Sequence, residues 1–231
     1  MYNTGILDVS HWEFDRLKGK ITPALKQARD AGIVAVIAKA TQGKDYVDPS
    51  WKQWASAILD AGLLLGAYHF GSNLSPGDQQ SDWFVQAVKS ASVDVSKTLL
   101  VLDFETNTKP SQTMTTEQAR AFLSRLDATF LHPLNERRPM LYSGSSFLID
   151  QVPDKNDMLG AFPLWIAAYG PTKPKIPRAW ADWSLFQYTD GPIGPADTAA
   201  WPRITPGFGG IDRSACKRTA EQLRAEWPTI A

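Results

Sequence analysis

The sequence predicts an α/β fold built as a single (β/α) barrel, and three observations carry that reading. About eight short apolar runs recur along the 231 residues. Helix-like stretches separate most of them, the pattern of βα units on a largely parallel sheet. One run, Leu99 to Leu102, is apolar at every position, as expected of a strand buried on both faces. Eight parallel-type runs in a chain of this length suit a closed, TIM-barrel-like arrangement better than an open doubly wound sheet. With 43% hydrophobic and 21% charged residues, the chain can bury one substantial core, and residues 1–231 are expected to form one domain.

Gly5 to Ser10 opens the series as the first strand. A helix is expected near Pro23 to Ala31, and Gly32 marks entry into the second strand, Ile33 to Ala40. Asp48 is placed to cap a helix that Pro49 opens and Gly62 closes after Ala61. Leu63 to Phe70 is the third strand, followed by a helix from Pro76 to Ser90 and by Leu99 to Glu105 as the fourth strand. Thr115-Thr116-Glu117-Gln118 has the spacing of a capping box for a helix reaching about Phe130. Pro139 to Ser143, Pro163 to Tyr169 and Trp183 to Tyr188 are three further short strands. Phe208 to Ile211 is the last, ahead of a helix from Ser214 to Glu226 that would carry Cys216 as a small buried side chain. The Pro- and Lys-rich stretch 170–181 and the Pro- and Gly-rich stretch 190–210 read as loops, so the last βα units are irregular.

Composition excludes several classes of function. Lysines plus arginines and aspartates plus glutamates number 24 each, so no global field recruits nucleic acid or an anionic membrane. No apolar stretch approaches the roughly 20 residues of a membrane span. Met1 to Thr4 lead into the first strand without a basic and apolar leader, so no signal peptide is expected if Met1 is the natural start. The single Cys216 cannot form an internal disulfide, and with His11, His69 and His132 it shows no metal-ligand spacing. Neither a metal nor another cofactor is expected. Nine tryptophans, six tyrosines and ten phenylalanines make a heavy aromatic load, which suits flat sugar rings.

The polar residues at the strand ends carry the chemistry. Asp103 and Glu105 stand in i, i+2 register at the end of the most apolar strand, where alternation points both to one side with Cα atoms about 6.6 Å apart. Carboxylates held that close push their pKa values apart, so one can stay protonated as an acid while the other stays ionised. The alternative is a carboxylate capping a turn beside a solvated one. If the runs are barrel strands, one mouth gathers Asp8, Tyr68, His69, Asp103, Glu105, Tyr142, Trp165, Tyr169, Gln187, Tyr188 and Asp212. Taken singly, Asp8 could sit in a turn, Asp212 could cap the final helix, and His69 reads better as a satisfied core histidine than as a base. Four convergent carboxylates without a Ser-His or Cys-His constellation favour acid-catalysed cleavage of a glycosidic bond. Magnesium binding is the competing use, but no phosphate-cradling glycines or basic residues accompany Glu105.

Taken in order, these segments resemble glycoside hydrolase family 25, the Chalaropsis-type lysozymes or N-acetylmuramidases. The resemblance runs through GILDVSHW at Gly5 to Trp12, AVIAKATQGKDYVDPSW on the second strand and its loop, GAYHF at Gly66 to Phe70, and LVLDFE. It continues through LYS at Leu141 to Ser143, PLWIAAYG from Pro163, WSLFQYTDG from Trp183 and GIDRS from Gly210. It implies cleavage of the β-1,4 bond between N-acetylmuramic acid and N-acetylglucosamine in bacterial peptidoglycan. Glu105 would be the general acid and Asp103 the stabilising carboxylate, with net retention assisted by the substrate's own acetamide. Asp8 and Asp212 match two further family carboxylates, and Tyr68, Tyr142, Trp165, Tyr169 and Gln187 fall where the saccharide groove is expected. The close register of Asp103 and Glu105 agrees with retention, since inversion needs room for a water between the carboxyls.

By the same resemblance the protein would be a monomeric catalytic domain without a separate cell-wall-binding domain, acting on the wall from an extracellular or periplasmic position. A phage endolysin, a phage tail or secretion-system effector, and an exported bacterial autolysin whose leader was trimmed all fit. Two departures stand out: Glu13 where many relatives carry Gln, and Ser214 where the last motif usually has an amide. A non-catalytic saccharide-binding barrel would carry inert carboxylates at these positions. A chitinase-like hydrolase would need aspartates where Leu100 and Leu102 stand.

Overall fold

The computed structural model describes residues 2–131 and 138–230. Met1 and His132 lie outside them. The elements are β1 (Asn3–Val9), α1 (His11–Arg16), α2 (Ile21–Asp30), β2 (Ala35–Gln42), β3 (Tyr46–Val47), α3 (Trp51–Asp60), β4 (Leu64–Phe70), α4 (Gly77–Lys89) and β5 (Leu99–Asp103). There follow α5 (Thr116–Leu126), β6 (Met140–Gly144), α6 (Ser145–Gln151), β7 (Leu164–Ala167), β8 (Leu185–Thr189), β9 (Ile204–Thr205), β10 (Gly209–Gly210), β11 (Arg213–Cys216) and α7 (Ala220–Glu226). Eight strands close into a barrel in the order β1, β2, β4, β5, β6, β7, β8, β11, and β11 returns to β1. Neighbours run parallel except β11, which is antiparallel to both β8 and β1.

Alternation along each strand sorts side chains into two layers. Ile6, Ile37, Val101, Met140, Trp165, Leu185 and Cys216 pack together inside the barrel. Leu7, Val36, Leu100, Leu102, Leu141, Ile166 and Phe186 face outward to a second layer with Leu25, Trp54, Phe84 and Phe122. Strand β5 serves both layers, and Leu99 to Leu102 are at most 1% exposed. Burying one such side chain contributes about 1.5–3 kcal/mol. Leu223 of α7, Trp227 and Ile230 join the inner layer, and the Trp227 indole donates to the Leu65 carbonyl at 2.8 Å. The base of the barrel is therefore filled, and the open mouth lies at the C-terminal ends of the parallel strands. Among the described residues no helix is long and apolar enough to cross a membrane.

Several expectations need correction. The fourth strand ends at Asp103, two residues before Glu105. The last barrel strand is Arg213–Cys216 rather than Phe208 to Ile211, so Cys216 lies buried on a strand and not on the final helix. Buried edges of β1 and β8 would otherwise lack partners, and β11 pairs with both. The helix begins only at Ala220, where Thr219 and Gln222 form a reciprocal capping box. Asp48 does not cap α3. Its Oδ1 accepts from the backbone N–H and hydroxyl of Ser50, at 2.9 and 2.6 Å, and its Oδ2 meets the His11 Nδ1 at 3.0 Å. Gly62 does close α3, at φ +72°, where its N–H reaches the Leu59 carbonyl at 2.9 Å. Helix α5 starts at the expected capping box of Thr115 and Gln118 and continues through a π-helical turn to Leu131.

Candidate active site

Nine side chains line a cavity of about 190 Å³ at the barrel mouth: Asp8, Tyr68, Asp103, Glu105, Tyr142, Trp165, Tyr169, Gln187 and Asp212. They are the nine that the sequence nominated as catalytic or substrate-binding. Asp8, Asp103, Tyr142, Trp165 and Gln187 share the inward strand face with Ile6, Val101, Met140 and Leu185, two residues along or one strand over. Asp212 arrives by the opposite route. Because β11 runs down the barrel, the residue just before it sits at the mouth, and the Asp212 carbonyl accepts from the Asp8 N–H at 3.4 Å.

Gln187 organises one wall. Its Oε1 accepts from the hydroxyls of Tyr142 and Tyr169 at 2.7 and 2.8 Å, and its Nε2 donates to both oxygens of Asp8 at 3.1 and 2.9 Å. Both ends of the amide are thereby used, and four residues from four strands or strand ends are tied together. Trp165 stands edge-on to Tyr142, ring centroids 4.6 Å apart, and its indole donates to Ser214 Oγ at 2.9 Å. Ser214, a departure from the resembled pattern, thus orients a cavity wall from within β11.

The electrostatics are those of carboxyls crowded into a dry space. Burial raises Asp103 well above the usual carboxylate range, and the adjacent Glu105 charge raises it further. Asp103 is 7% exposed, and among the described residues its buried Oδ1 has no hydrogen-bond partner. Burial also raises Glu105. Asp8 is raised by burial and then by Asp212, against the pull of the Gln187 hydrogen bond. Asp212 is pushed up to about 7 by burial and by the charges of Glu13, Asp190 and Glu105. Groups coupled this way titrate together and retain protons that isolated carboxyls would release.

Sequence reasoning missed Lys39. It lies on β2 two residues after the inward-facing Ile37, with its ammonium 2.7 Å from Gln42 Oε1 and 5.0 Å from the centre of the Phe70 ring. Its charge favours the ionised forms of both Asp103 and Glu105. A cation interrupting an apolar run was the available signal. His69, by contrast, faces outward and lines no part of the cavity. Its Nδ1 accepts from the Thr41 hydroxyl at 2.8 Å and its Nε2–H donates to Gln80 Oε1 at 3.1 Å. That tautomer follows from Gln80, whose Nε2 is committed to the carbonyls of Ser72 and Ser75. Burial pushes His69 down to about 4, so it stays neutral as a core residue. Tyr188 also faces outward, its hydroxyl donating to the Pro202 carbonyl at 2.6 Å. Glu13, the other departure, closes the capping box of α1 by accepting from Ser10 N–H at 2.9 Å, and its charge still reaches Asp8 and Asp212.

The sequence model of glycosyl hydrolases family 25 matches residues 7–195. The chain belongs to this family. Among related sequences, the Lysozyme M1 of Streptomyces globisporus is 29% identical over 224 residues, covering 95% of this chain and 69% of that protein. The autolytic lysozyme of Clostridium acetobutylicum is 26% identical over 213 residues, covering 86% of this chain and 60% of that protein. Among solved structures, the bacterial lysozyme of Streptomyces coelicolor superposes with a TM-score of 0.73 at 26% identity, covering 97% of both chains. As a family 25 glycosyl hydrolase, the protein is an enzyme of glycosidic-bond cleavage on a barrel scaffold.

Two expectations follow for this family 25 site. The first concerns Lys39→Met. Without that charge both Asp103 and Glu105 protonate more readily, so both limbs of the pH profile of kcat/KM move to higher pH. A profile that stays in place contradicts the coupling. The second concerns stability. A carboxyl whose native pKa is raised holds a proton that the unfolded chain has released, so its contribution is complete below about pH 4 and is lost as pH rises towards 7. Asp212→Asn is expected to raise the melting temperature at pH 7.5, with the gain vanishing near pH 4; a gain that persists at pH 4 contradicts this origin.

Proposed function

We propose that the enzyme is a lysozyme that hydrolyses the β-1,4 bond between N-acetylmuramic acid and N-acetylglucosamine in bacterial peptidoglycan. The observation that carries this reading is the single cavity holding Asp103 and Glu105 beside Asp8 and Asp212, walled by tyrosines and Trp165. Family membership and the names of the related lysozymes support it. Residues 1–231 act as one catalytic unit in this reading, on wall material outside the cytoplasmic membrane.

Glu105 donates its proton to the glycosidic oxygen as the bond to C1 of the muramic acid breaks. Burial keeps that proton available. Asp103 orients the 2-acetamido group of the same sugar, whose carbonyl oxygen closes onto C1 and balances the developing positive charge. Water then attacks C1 as the bond from C1 to the acetamide oxygen breaks, regenerating the acetamide, passing a proton back to Glu105 and giving net retention. Asp8, fixed by Gln187, and Asp212 add negative potential at the oxocarbenium-like centre. The test is mass spectrometry of soluble fragments released from purified peptidoglycan and reduced with borohydride. Muramitol at the new ends supports the proposal. Reduced glucosamine would make the enzyme a glucosaminidase, and no release by folded protein would leave a saccharide-binding barrel.

A further inference from the structure

A second cavity, of about 480 Å³, opens beside the first between the start of α6 and the loop that follows β7. Its size lies within the range of about 300–1,000 Å³ typical of small-ligand sites. Tyr169 is common to both cavities. Phe147, Ala168 and Pro171 give the second cavity apolar lining, and Lys173 and Lys175 line it as well. We infer that this cavity seats the carboxylate-bearing peptide stem of the muramic acid residue whose glycosidic bond is cut. The inference rests on the lysozyme reading and names a further part of its substrate.

Charge is the first support. Among the described residues no carboxylate lines the second cavity, and no ion pair joins Lys173 or Lys175 to an acidic side chain. The two lysines thus offer uncompensated positive charge next to a central cavity that holds four carboxyls. Another groove, lined by residues that include His11, Lys44 and Asp45, carries one lysine and one aspartate and offers no such excess. The anionic groups of a substrate are therefore attracted to the Tyr169 side.

Geometry is the second support. The muramic acid carries its stem as an amide on the 3-O-lactyl group, so a sugar seated over Asp103 and Glu105 must send that stem out across the rim. Tyr169 is the side chain the stem would cross, and its hydroxyl is fixed on Gln187 at 2.8 Å. The loop behind it is held as well: Ser145 Oγ donates to the Lys175 carbonyl at 2.8 Å, and Ile176 packs on the core. The backbone is thus fixed, while both lysine side chains stand exposed to solvent.

The experiment uses glycan chains from purified peptidoglycan freed of other wall polymers, with stems present, with stems removed by an amidase, or with stem carboxylates amidated. Wild-type enzyme is expected to favour stem-bearing chains over stripped chains about tenfold in kcat/KM, the size two solvent-facing ion pairs support. The double variant K173Q/K175Q should lose that preference through KM, K173E/K175E should reverse it, and amidated stems should behave like stripped ones. Equal wild-type rates on the first two substrates overturn the inference, as does an equal loss on both in the variants. A preference that appears only when anionic wall polymer is left on the chains overturns it too. Failure of the lysozyme reading itself has a separate signature, the absence of muramitol from every substrate.

Discussion

Replacing Glu105 with Gln is expected to lower the rate of muramitol-ended fragment release by about a thousandfold, within the range of about 10²–10⁴ for general acid–base groups. The amide keeps the shape of the side chain but has no acidic proton for the leaving oxygen. Because Glu105 is only partly buried and its charge raises Asp103, the change also relieves repulsion inside the cavity. Thermal unfolding should therefore show a native fold at least as stable as the parent. The loss should fall on kcat and kcat/KM together, the signature of an interaction made in the transition state. If the variant releases fragments at the parental rate, Glu105 is not the acid and the proton must come from another carboxyl of the cavity, Asp8, Asp103 or Asp212.

Asp103→Asn is expected to cost about a hundredfold in kcat while raising the melting temperature at pH 7.5. The two effects share one cause. In the parent, a carboxyl 7% exposed, with a buried oxygen that has no partner among the described residues, is held beside a second carboxyl. That arrangement costs stability as pH rises from the ordinary carboxylate range to the raised pKa, because over that interval the unfolded chain has ionised while the native one still holds its proton; above it the native carboxylate carries its charge at that cost. Asparagine removes the charge, and with it the group that orients the acetamide and balances positive charge at C1. Parental turnover in this variant would remove Asp103 from the chemistry. A lowered melting temperature would show that its carboxyl is better solvated than its burial indicates.

The barrel was legible because its signal is redundant: eight runs, most with a polar residue near the upper end, repeat one message. Strand β5 shows why. Four residues without a polar side chain can only be buried on both faces, and the first residue that breaks the run, Asp103, sits where the strand leaves the core. The last strand misled for a physical reason. Arg213 and Ser214 read as surface residues, yet the Arg213 guanidinium is buried because the carbonyls of Thr4 and Ile204 accept its N–H groups. Long-range pairing of that kind leaves no periodic trace. Asp212 was nevertheless assigned to the mouth, since the end of a rising strand and the start of a falling one occupy the same level. The short helices were readable in principle: Ser10 with Glu13 and Thr219 with Gln222 are both capping boxes. Lys39 was overlooked because a lysine near a strand end is ordinarily solvated, and only the closed barrel brings β2 close enough to β5 for its charge to matter.

Strand β1 begins, and β11 ends, on the side opposite the cavity, where Asn3 pairs with Cys216 and Trp227 and Ile230 fill the base. Both described ends of the polypeptide therefore leave from the rear of the enzyme. A molecule immobilised on a bead through either end would hold its catalytic opening outward, towards particulate wall fragments too large to diffuse around it.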